Sequence, residues 1–515
     1  MRNKIDSYIK ARRSEMIEDI LELIRIKSIN GCAAENTEAL NLFLQKAEAM
    51  GFKTMKTSTG DVGIVELGSG DQTLGILVHM DVVGIGDTDK WTYPPFEGRV
   101  AKGFLWGRGV VDDKGPAVMC LYALKAIKEL EIPLNKRVWL IVGTSEEAEW
   151  TDIASFKKEF PVPDFGFSPD GDFPIYNSEK GYCDVQMRFT EPCIDILEKL
   201  DSGDSPNTIP SRAEVKIRNQ ENLVFHGISC HSSAPAIGIN AISKMAVELG
   251  YRTEFNFIRF LNDFLAKDYN GEKLGMDKNV HADLTPTQRS IIVPTILKRE
   301  GDKVLLNVNV RSCTGVSKED VIAAFMRQKE KYSFEMELYD FLEPMFVDEK
   351  EEFLQVMAEV YAEYGYESSF QSALGTSYAK SMEHFVSFGP VFQTEPSCAH
   401  MEDERMSITA MITATQIYTT YIATMASPIG GIRKNAEKMT SLEKALFLLS
   451  LFTDPPYHYD VPGLVELTGM NRTTVYRNLS TLEKAGLLQK DPTTKAYSLG
   501  PLAEKMGEKA NDIRT

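Results

Sequence analysis

His79 in HMD, Asp112 in GRGVVDDKG, the adjacent Glu146 and Glu147 in GTSEE, Asp170 in SPDGDFP and His400 in AHMEDE are the side chains of this sequence best suited to hold metal ions. Imidazole and carboxylate are the ligands that zinc and similar cations accept, and a catalytic site keeps a place for water. His79 and Asp81 stand two apart at the end of an apolar strand and so face the same side. Asp81 can then accept the free N–H of a ligating imidazole. The glycines of GRGVVDDKG permit the tight turn that delivers Asp112. Glu146 and Glu147 offer one ligand and one base. Together the set can hold two divalent cations with one carboxylate shared, clamping a nucleophile and a polarised carbonyl oxygen. The chemistry this points to is metal-assisted amide hydrolysis.

Such residues need a scaffold. Residues 14–26 carry Met16, Ile17, Ile20, Leu21 and Ile24 as a helical stripe. A second helix over 36–50 ends at Gly51. Apolar runs at 63–67, 74–78, 137–142 and 165–168 read as strands, with a helix over 114–130 between them. Alternating strands and helices predict an α/β layer fold, and the chemical residues fall where strands end, as in open α/β sheets. From about Glu179 the pattern changes to two strand–helix–strand stretches, with helices at 241–249 and 318–328. The α/β pattern resumes near Lys350, with helices at about 350–364 and 405–425, and SPIGG at 427–431 reads as a linker.

The chain has 515 residues, enough for two to four domains, with 43% hydrophobic and 25% charged residues. The first twenty residues lack an apolar signal-type run, and no stretch of about 18 apolar residues occurs, so secretion and membrane spanning are not expected. Seven scattered cysteines without a CxxC pair read as reduced thiols in a cytoplasmic protein. Charge is uneven: residues 432–515 carry 12 Lys+Arg and 10 Asp+Glu, a balance of +2, against −19 for the rest. An acidic body joined to a slightly basic tail implies two modules with different partners.

The stretches LVHMDVVGIGD, W-x-x-x-PFEG, GRGVVDDKGP, GTSEE, SPDGDFPI-x-x-SEKG, HSSAPAIGINAI and AHMEDE make residues 1 to about 428 resemble the zinc dipeptidase family. This family contains bacterial dipeptidase V and carnosinase, and is related to succinyl-diaminopimelate desuccinylase and acetylornithine deacetylase. The resemblance implies that His79, Asp112 and Asp170 hold one zinc, and Asp112, Glu147 and His400 the other, with Mn2+ or Co2+ as alternatives. It makes Glu146 the general base and Asp81 the orienter of His79, and implies a cis peptide after Asp112. His231 matches a histidine that stabilises the tetrahedral oxyanion, a donor role worth a few kcal/mol. Asn207 in SPNTIP matches an asparagine of the same closing surface. Where dipeptidase V-like proteins carry an arginine that grips the substrate carboxylate, this chain reads GTSYAK, and Lys380 supplies charge without a bidentate fork. Aspartate at the Asp170 position goes, in the family, with aminopeptidase or dipeptidase action. The long inserted region suits the doubled lid of dipeptidase V, which works as a monomer.

Residues 440–500 read separately. TSLE at 440–443 is a capping box, 461–468 a short helix, and Asn471 caps a third helix running to Ala485, followed by a two-stranded wing. This winged helix-turn-helix resembles the DNA-binding domain of IclR-type regulators along its whole length. The resemblance implies Arg472, Thr473, Thr474, Tyr476, Arg477 and Asn478 as DNA contacts, and pairing through this module. That domain normally precedes a sensor.

The expected fold class is therefore α/β. A di-zinc exopeptidase-like catalytic domain (1–178 and 346–428) carries an inserted α+β lid domain (179–345), a linker (429–439) and a C-terminal winged helix-turn-helix (440–515). The expected function is hydrolysis of dipeptides or short peptides with a free N-terminus, joined to DNA binding. Two alternatives stand beside it: an N-acyl amino acid deacylase of the same fold, and a transcription regulator that uses the peptidase body as a sensor.

Overall fold

The computed structural model describes residues 1–277, 289–373, 375–396, 398–427, 440–453 and 457–514. The linker expected at 429–439 lies outside the described residues. Two compact units emerge: one comprises Met1–Ile175, Glu349–Ser369 and Ser377–Thr515, the other Tyr176–Asp348 and Phe370–Thr376.

In the first unit the central strand Thr73–His79 is buried at every position. It lies parallel to Arg137–Gly143 and to Phe165–Ser168, and Phe385–Ser387 continues the parallel set beyond the latter. Gly63–Leu67 joins the other side of Arg137–Gly143 antiparallel, followed by Lys53–Lys56. Parallel strands covered on both faces read as unbroken apolar runs, which is why these were visible in the sequence. Helix Lys114–Glu129 packs on Thr73–His79 and against the long helix Ile408–Met425, while Ala33–Ala49 covers the antiparallel strands. Because three neighbouring strands run the same way, their carboxyl ends share one edge. His79 is the last residue of its strand, Glu146 and Glu147 follow Gly143, and Asp170 follows Ser168. A small sheet of Arg99–Ala101, Phe104–Trp106 and Arg405–Ser407 ties the His400 loop to the Asp112 loop.

The second unit is built on an antiparallel seven-stranded sheet, in the order Asn222–His226, Arg212–Ile217, Leu197–Ser202, Ile291–Glu300, Lys303–Arg311, Tyr182–Thr190, Phe334–Leu342. Val185, Met187, Phe189, Leu306 and Val308 pack with Ile242, Met245, Phe257, Phe260 and Phe325 into one core. The sequence reading expected two strand–helix–strand stretches here, fewer strands than the seven of this sheet.

Residues 440–514 hold a further core of Phe447, Leu448, Phe452, Leu464, Val475, Leu479, Leu488 and Tyr497. Helix Ser441–Ser450 opens on the Thr440–Glu443 capping box, Val461–Thr468 ends at Gly469 with φ +69°, and Asn471 caps Arg472–Lys484 through the Thr474 N–H. The wing pairs Leu488–Lys490 with Tyr497–Leu499, and a helix at Pro501–Arg514, which the sequence reading did not anticipate, follows. No helix among the described residues is long and apolar enough to cross a membrane.

Candidate metal centre

The six ligand candidates converge at the carboxyl edge of the parallel strands. Asp112 is the hub. Its Oδ1 lies 3.0 Å from His79 Nε2, and its Oδ2 lies 2.8 Å from His400 Nε2. His79 Nε2 is also 3.7 Å from Asp170 Oδ2, and His400 Nε2 is 2.9 Å from Glu147 Oε1. The ligand atoms fall into two groups, one of His79, Glu146 and Asp170, the other of Asp112, Glu147 and His400. The Asp112–Asp113 peptide is cis.

His79 Nδ1 donates to the main-chain carbonyl of Asp81 at 2.9 Å, which fixes the ring and leaves Nε2 facing the carboxylates. The Asp81 carboxylate lies 3.4 Å from Nδ1 and helps hold the ring charged, and it also accepts the N–H groups of Glu146 (3.1 Å) and Glu147 (3.0 Å). The chain turns just past His79, so the carbonyl comes nearer to the ring than the side chain does. Asp81 thus braces the turn bearing the glutamates.

The electrostatics are those of an acid cluster awaiting cations. Burial opposes charge on His79, but Asp112, Asp170 and Asp81 outweigh it and hold its pKa well above the ordinary value. Hydrogen bonds to Asp112 and Glu147 push His400 up to about 11. Burial, then the charge of Asp170, raises Glu146 well above the carboxylate range; burial likewise raises Glu147 and Asp170. His79 Nε2 and Asp112 Oδ1 are buried and face each other at 3.0 Å without hydrogen-bond geometry. Buried ligand atoms of nitrogen and oxygen type that face each other without hydrogen-bond geometry, in a site crowded with carboxylates, fit a pair of divalent cations.

Sequence reasoning missed the supports. Glu404, fully buried, pairs with the buried guanidinium of Arg108 at 2.7 Å. It also accepts the N–H groups of Gly109 (3.0 Å), Val111 (2.8 Å) and Asp112 (3.3 Å). Asp113 accepts the His79 N–H at 3.1 Å, and Lys114 donates to the carbonyls of Leu23 and Ile26. Cys398 Sγ accepts the Arg405 N–H at 3.3 Å, closing the loop in which His400 adopts φ +63°. These charges sit inside the motifs themselves; their one signal was that GRGVVDDKG and AHMEDE hold more charge than the ligands require.

Lys380 is half-buried on the short helix Tyr378–Ser381 of the first unit. Asn207 and His231 belong to the second unit, where a two-stranded ribbon pairs Thr208 with His231 and Ser232 donates to the Asn207 carbonyl at 2.8 Å. The Ser233 N–H donates to His231 Nδ1 at 3.3 Å, so the ring proton belongs on Nε2. Partial desolvation and the charge of Arg311 lower the His231 pKa, favouring the neutral ring. Arg311 is 6% exposed and stacks over Tyr182, whose hydroxyl donates to Asp184 (2.6 Å) and lies 3.0 Å from the Asn207 side chain. This guanidinium beside His231 was not picked out from the sequence.

On the helix Arg472–Lys484, Arg472, Thr473, Tyr476 and Arg477 are exposed and Thr474 is half-buried. Asn478 departs from the expectation. It is buried, and its amide donates to the Thr474 carbonyl at 2.9 Å, so it faces the core instead of the outward surface.

Fold and centre together define a hydrolase with paired metal-ligand groups at the carboxyl edge of an α/β sheet. Residues 75–424 match the Peptidase family M20/M25/M40, and residues 441–492 match the IclR helix-turn-helix domain. A Bacillus subtilis (strain 168) protein named "Putative dipeptidase YtjP" is 30% identical over 465 residues, covering 81% of this chain and 98% of that one. Human carnosine dipeptidase 1 superposes with a TM-score of 0.54 at 16% identity, over 83% of this chain and 100% of the other. The Bacillus subtilis YXEP protein, described as a dinuclear metal binding peptidase, gives 0.51 at 12% identity, over 81% and 99%. This chain belongs to the Peptidase family M20/M25/M40 and carries an IclR-type helix-turn-helix at its C-terminal side.

Proposed function

We propose that the chain is a zinc-dependent dipeptidase, acting on dipeptides and short peptides with a free N-terminus, whose C-terminal module binds DNA. The observation that carries the first part is Asp112, with one carboxylate oxygen on each of two histidines. His79, Asp112 and Asp170 would hold one cation and Asp112, Glu147 and His400 the other. The nitrogen and oxygen donors suit zinc, and accept manganese or cobalt. When bound, the cations polarise the scissile carbonyl and make water nucleophilic near neutral pH.

Glu146 takes the proton from the attacking water and returns it to the leaving amine. Burial and the charge of Asp170 raise its pKa, which makes it a stronger base than an exposed glutamate. The carboxylates around it favour a substrate ammonium over an acylated nitrogen, which supports dipeptides over N-acyl amino acids. His231 supplies an Nε2–H to the developing oxyanion, with Asn207 beside it. Lys380 would supply charge toward the substrate carboxylate, without the bidentate fork that a guanidinium offers. The seven cysteines are all free thiols, which fits a reducing cytoplasm. The peptidase body acts as a monomer, and pairing occurs through the C-terminal module.

For DNA, Arg472, Thr473, Thr474, Tyr476 and Arg477 stand on the capped third helix, the element that enters the major groove in this architecture. The deciding experiment is zinc-loaded full-length protein assayed on a panel of dipeptides and N-acyl amino acids, with Glu146→Gln alongside. Dipeptide cleavage, lost in E146Q at unchanged metal content, is expected. Cleavage of N-acyl compounds alone would replace the dipeptidase by a deacylase, and an active E146Q would remove Glu146 as the base.

A further inference from the structure

Glu146 and Glu147 lie in the turn after strand Arg137–Gly143, where no ladder or helix satisfies the main-chain N–H groups of Thr144 to Glu147. Buried carboxylates do so two by two. Asp81 takes Glu146 and Glu147, as described above. Asp152 Oδ2 takes Thr144 (2.7 Å) and Ser145 (3.0 Å). Asp152 is 1% exposed. Its other oxygen accepts the Ile153 N–H at 2.7 Å at the start of its own helix, so one oxygen serves the helix and the other the turn.

A second buried group locks that oxygen. The hydroxyl of Tyr378, fully buried, donates to Asp152 Oδ2 and accepts the Ser145 N–H at 3.3 Å. The same ring stands edge-on to the His79 imidazole (centroids 5.9 Å apart) and to the Trp150 indole (5.8 Å). Trp150 in turn donates from Nε1 to the Glu146 carbonyl at 2.8 Å. Gly143 makes room for the arrangement. A Cβ there would stand 2.5 Å from Asp152 Oδ2 and 2.6 Å from the Tyr378 hydroxyl. Nothing in this set touches a ligand atom of the metal groups. It fixes main chain on one side and packs against a ligand ring on the other.

We infer that Asp152 and Tyr378 form a clamp that positions the Glu146–Glu147 turn, and with it the direction in which Glu146 addresses the reacting water. The inference rests on the reading of Glu146 as base and Glu147 as ligand. Asp152 and Tyr378 are positioning residues, since they act through the main chain of the turn. Displacing a reacting group by about 1 Å lowers a rate by about 10²-fold, so a loosened turn has a large effect at intact metal occupancy.

The test uses zinc-loaded, full-length Asp152→Asn, Tyr378→Phe and the double variant. Three readouts are taken: metal per chain, kcat and KM on a cleaved dipeptide, and amide exchange over residues 143–150. Asparagine keeps the shape but replaces one acceptor oxygen by a donor. D152N is expected to lower kcat by about tenfold or more, with KM within about twofold, metal unchanged, and faster exchange confined to the turn. Y378F removes one hydroxyl without changing volume and is expected to lower kcat about threefold. The double variant should match D152N, because both act through one oxygen. Wild-type kcat despite faster exchange would overturn the clamp, as would a loss of kcat that merely tracks loss of metal. If D152N fails to fold, Y378F decides, and wild-type kcat and exchange in it reject the inference. E146Q separates the underlying reading: activity there removes the base, whereas exchange and metal content in D152N judge the clamp without it.

Discussion

Loading the centre with zinc should expel at least two protons per chain near neutral pH. Each ligating Nε2 must present a lone pair, and in the metal-free protein neither does. His400 Nε2 sits 2.8 Å from Asp112 and 2.9 Å from Glu147, and those carboxylates push its pKa to about 11. His79, held by Asp112 and Asp170 against the opposing effect of burial, is likewise raised well above its ordinary value. At neutral pH both rings are therefore protonated, and each surrenders one proton to a cation. Two displaced protons make the overall affinity for the pair of ions rise about 10²-fold per pH unit between about pH 6 and about pH 8.

The sign for stability runs the other way in the metal-free chain. A histidine whose folded pKa is raised contributes stability that is complete below its unfolded pKa of about 6.5. That contribution is lost as pH climbs through the folded value, here about 11 for His400. Metal-free protein should thus weaken on the alkaline side, where the loaded protein gains. Calorimetric titration in buffers of different ionisation enthalpy counts the protons directly, and chelator competition across pH gives the slope. His400→Ala should reduce the release by about one proton, since it removes one of the two raised rings. Fewer than about one proton per chain, or a flat affinity over this range, would mean that the Asp112 contacts do not hold the rings charged.

Three further outcomes are expected. His231→Ala should cut kcat by about 10²-fold with metal content unchanged, as loss of an oxyanion donor does; a variant within about twofold of wild type would make His231 structural. Arg108→Met leaves Glu404 buried without its guanidinium, so unfolding should become easier by about 3–5 kcal/mol and metal content should fall as the Asp112 loop loosens. Unchanged denaturant and metal titrations would refute that. Arg477→Ala should weaken binding to a selected palindromic duplex by about 1–3 kcal/mol and reduce its salt dependence, whereas Asn478→Ala should act on stability, because Asn478 faces the core. Equal retention of wild type and R477A on every fragment would assign the module to protein contacts.

The parts of this fold legible in the sequence are those set by local pattern. Buried parallel strands such as Thr73–His79 are unbroken apolar runs, and the helices Lys114–Glu129 and Arg472–Lys484 carry their own period and caps. The helix Arg2–Ala11 was not legible, because only Ile5 and Ile9 are buried in a charged segment. The seven-stranded sheet of the second unit pairs strands far apart in the chain, and nothing local records that register. The ligand candidates were legible because six metal-suited residues of three types, His, Asp and Glu, fall in short motifs. Their supports were not. Asp152 and Tyr378 meet across 226 residues, and the further role of Asp81, on the Glu146 and Glu147 N–H groups, is not written in the alternation along its strand.

That hidden layer explains how a site of opposed charges keeps its shape. The ligand candidates stand at strand ends and on loops, and loops leave N–H groups that must find acceptors when buried. Asp81, Asp113, Asp152 and Glu404 provide them, each spending a buried carboxylate on main chain instead of on a cation. Burial of so much negative charge is tolerable because Arg108 answers Glu404 directly and because cations, or in their absence the protons on His79 and His400, answer the rest. The loops are therefore fixed from behind, independently of what occupies the front. A substitution in this rear layer moves the ligands or the base without removing any of them, so its signature is lost turnover at retained metal. Loss of a ligand gives the opposite order, with metal departing first.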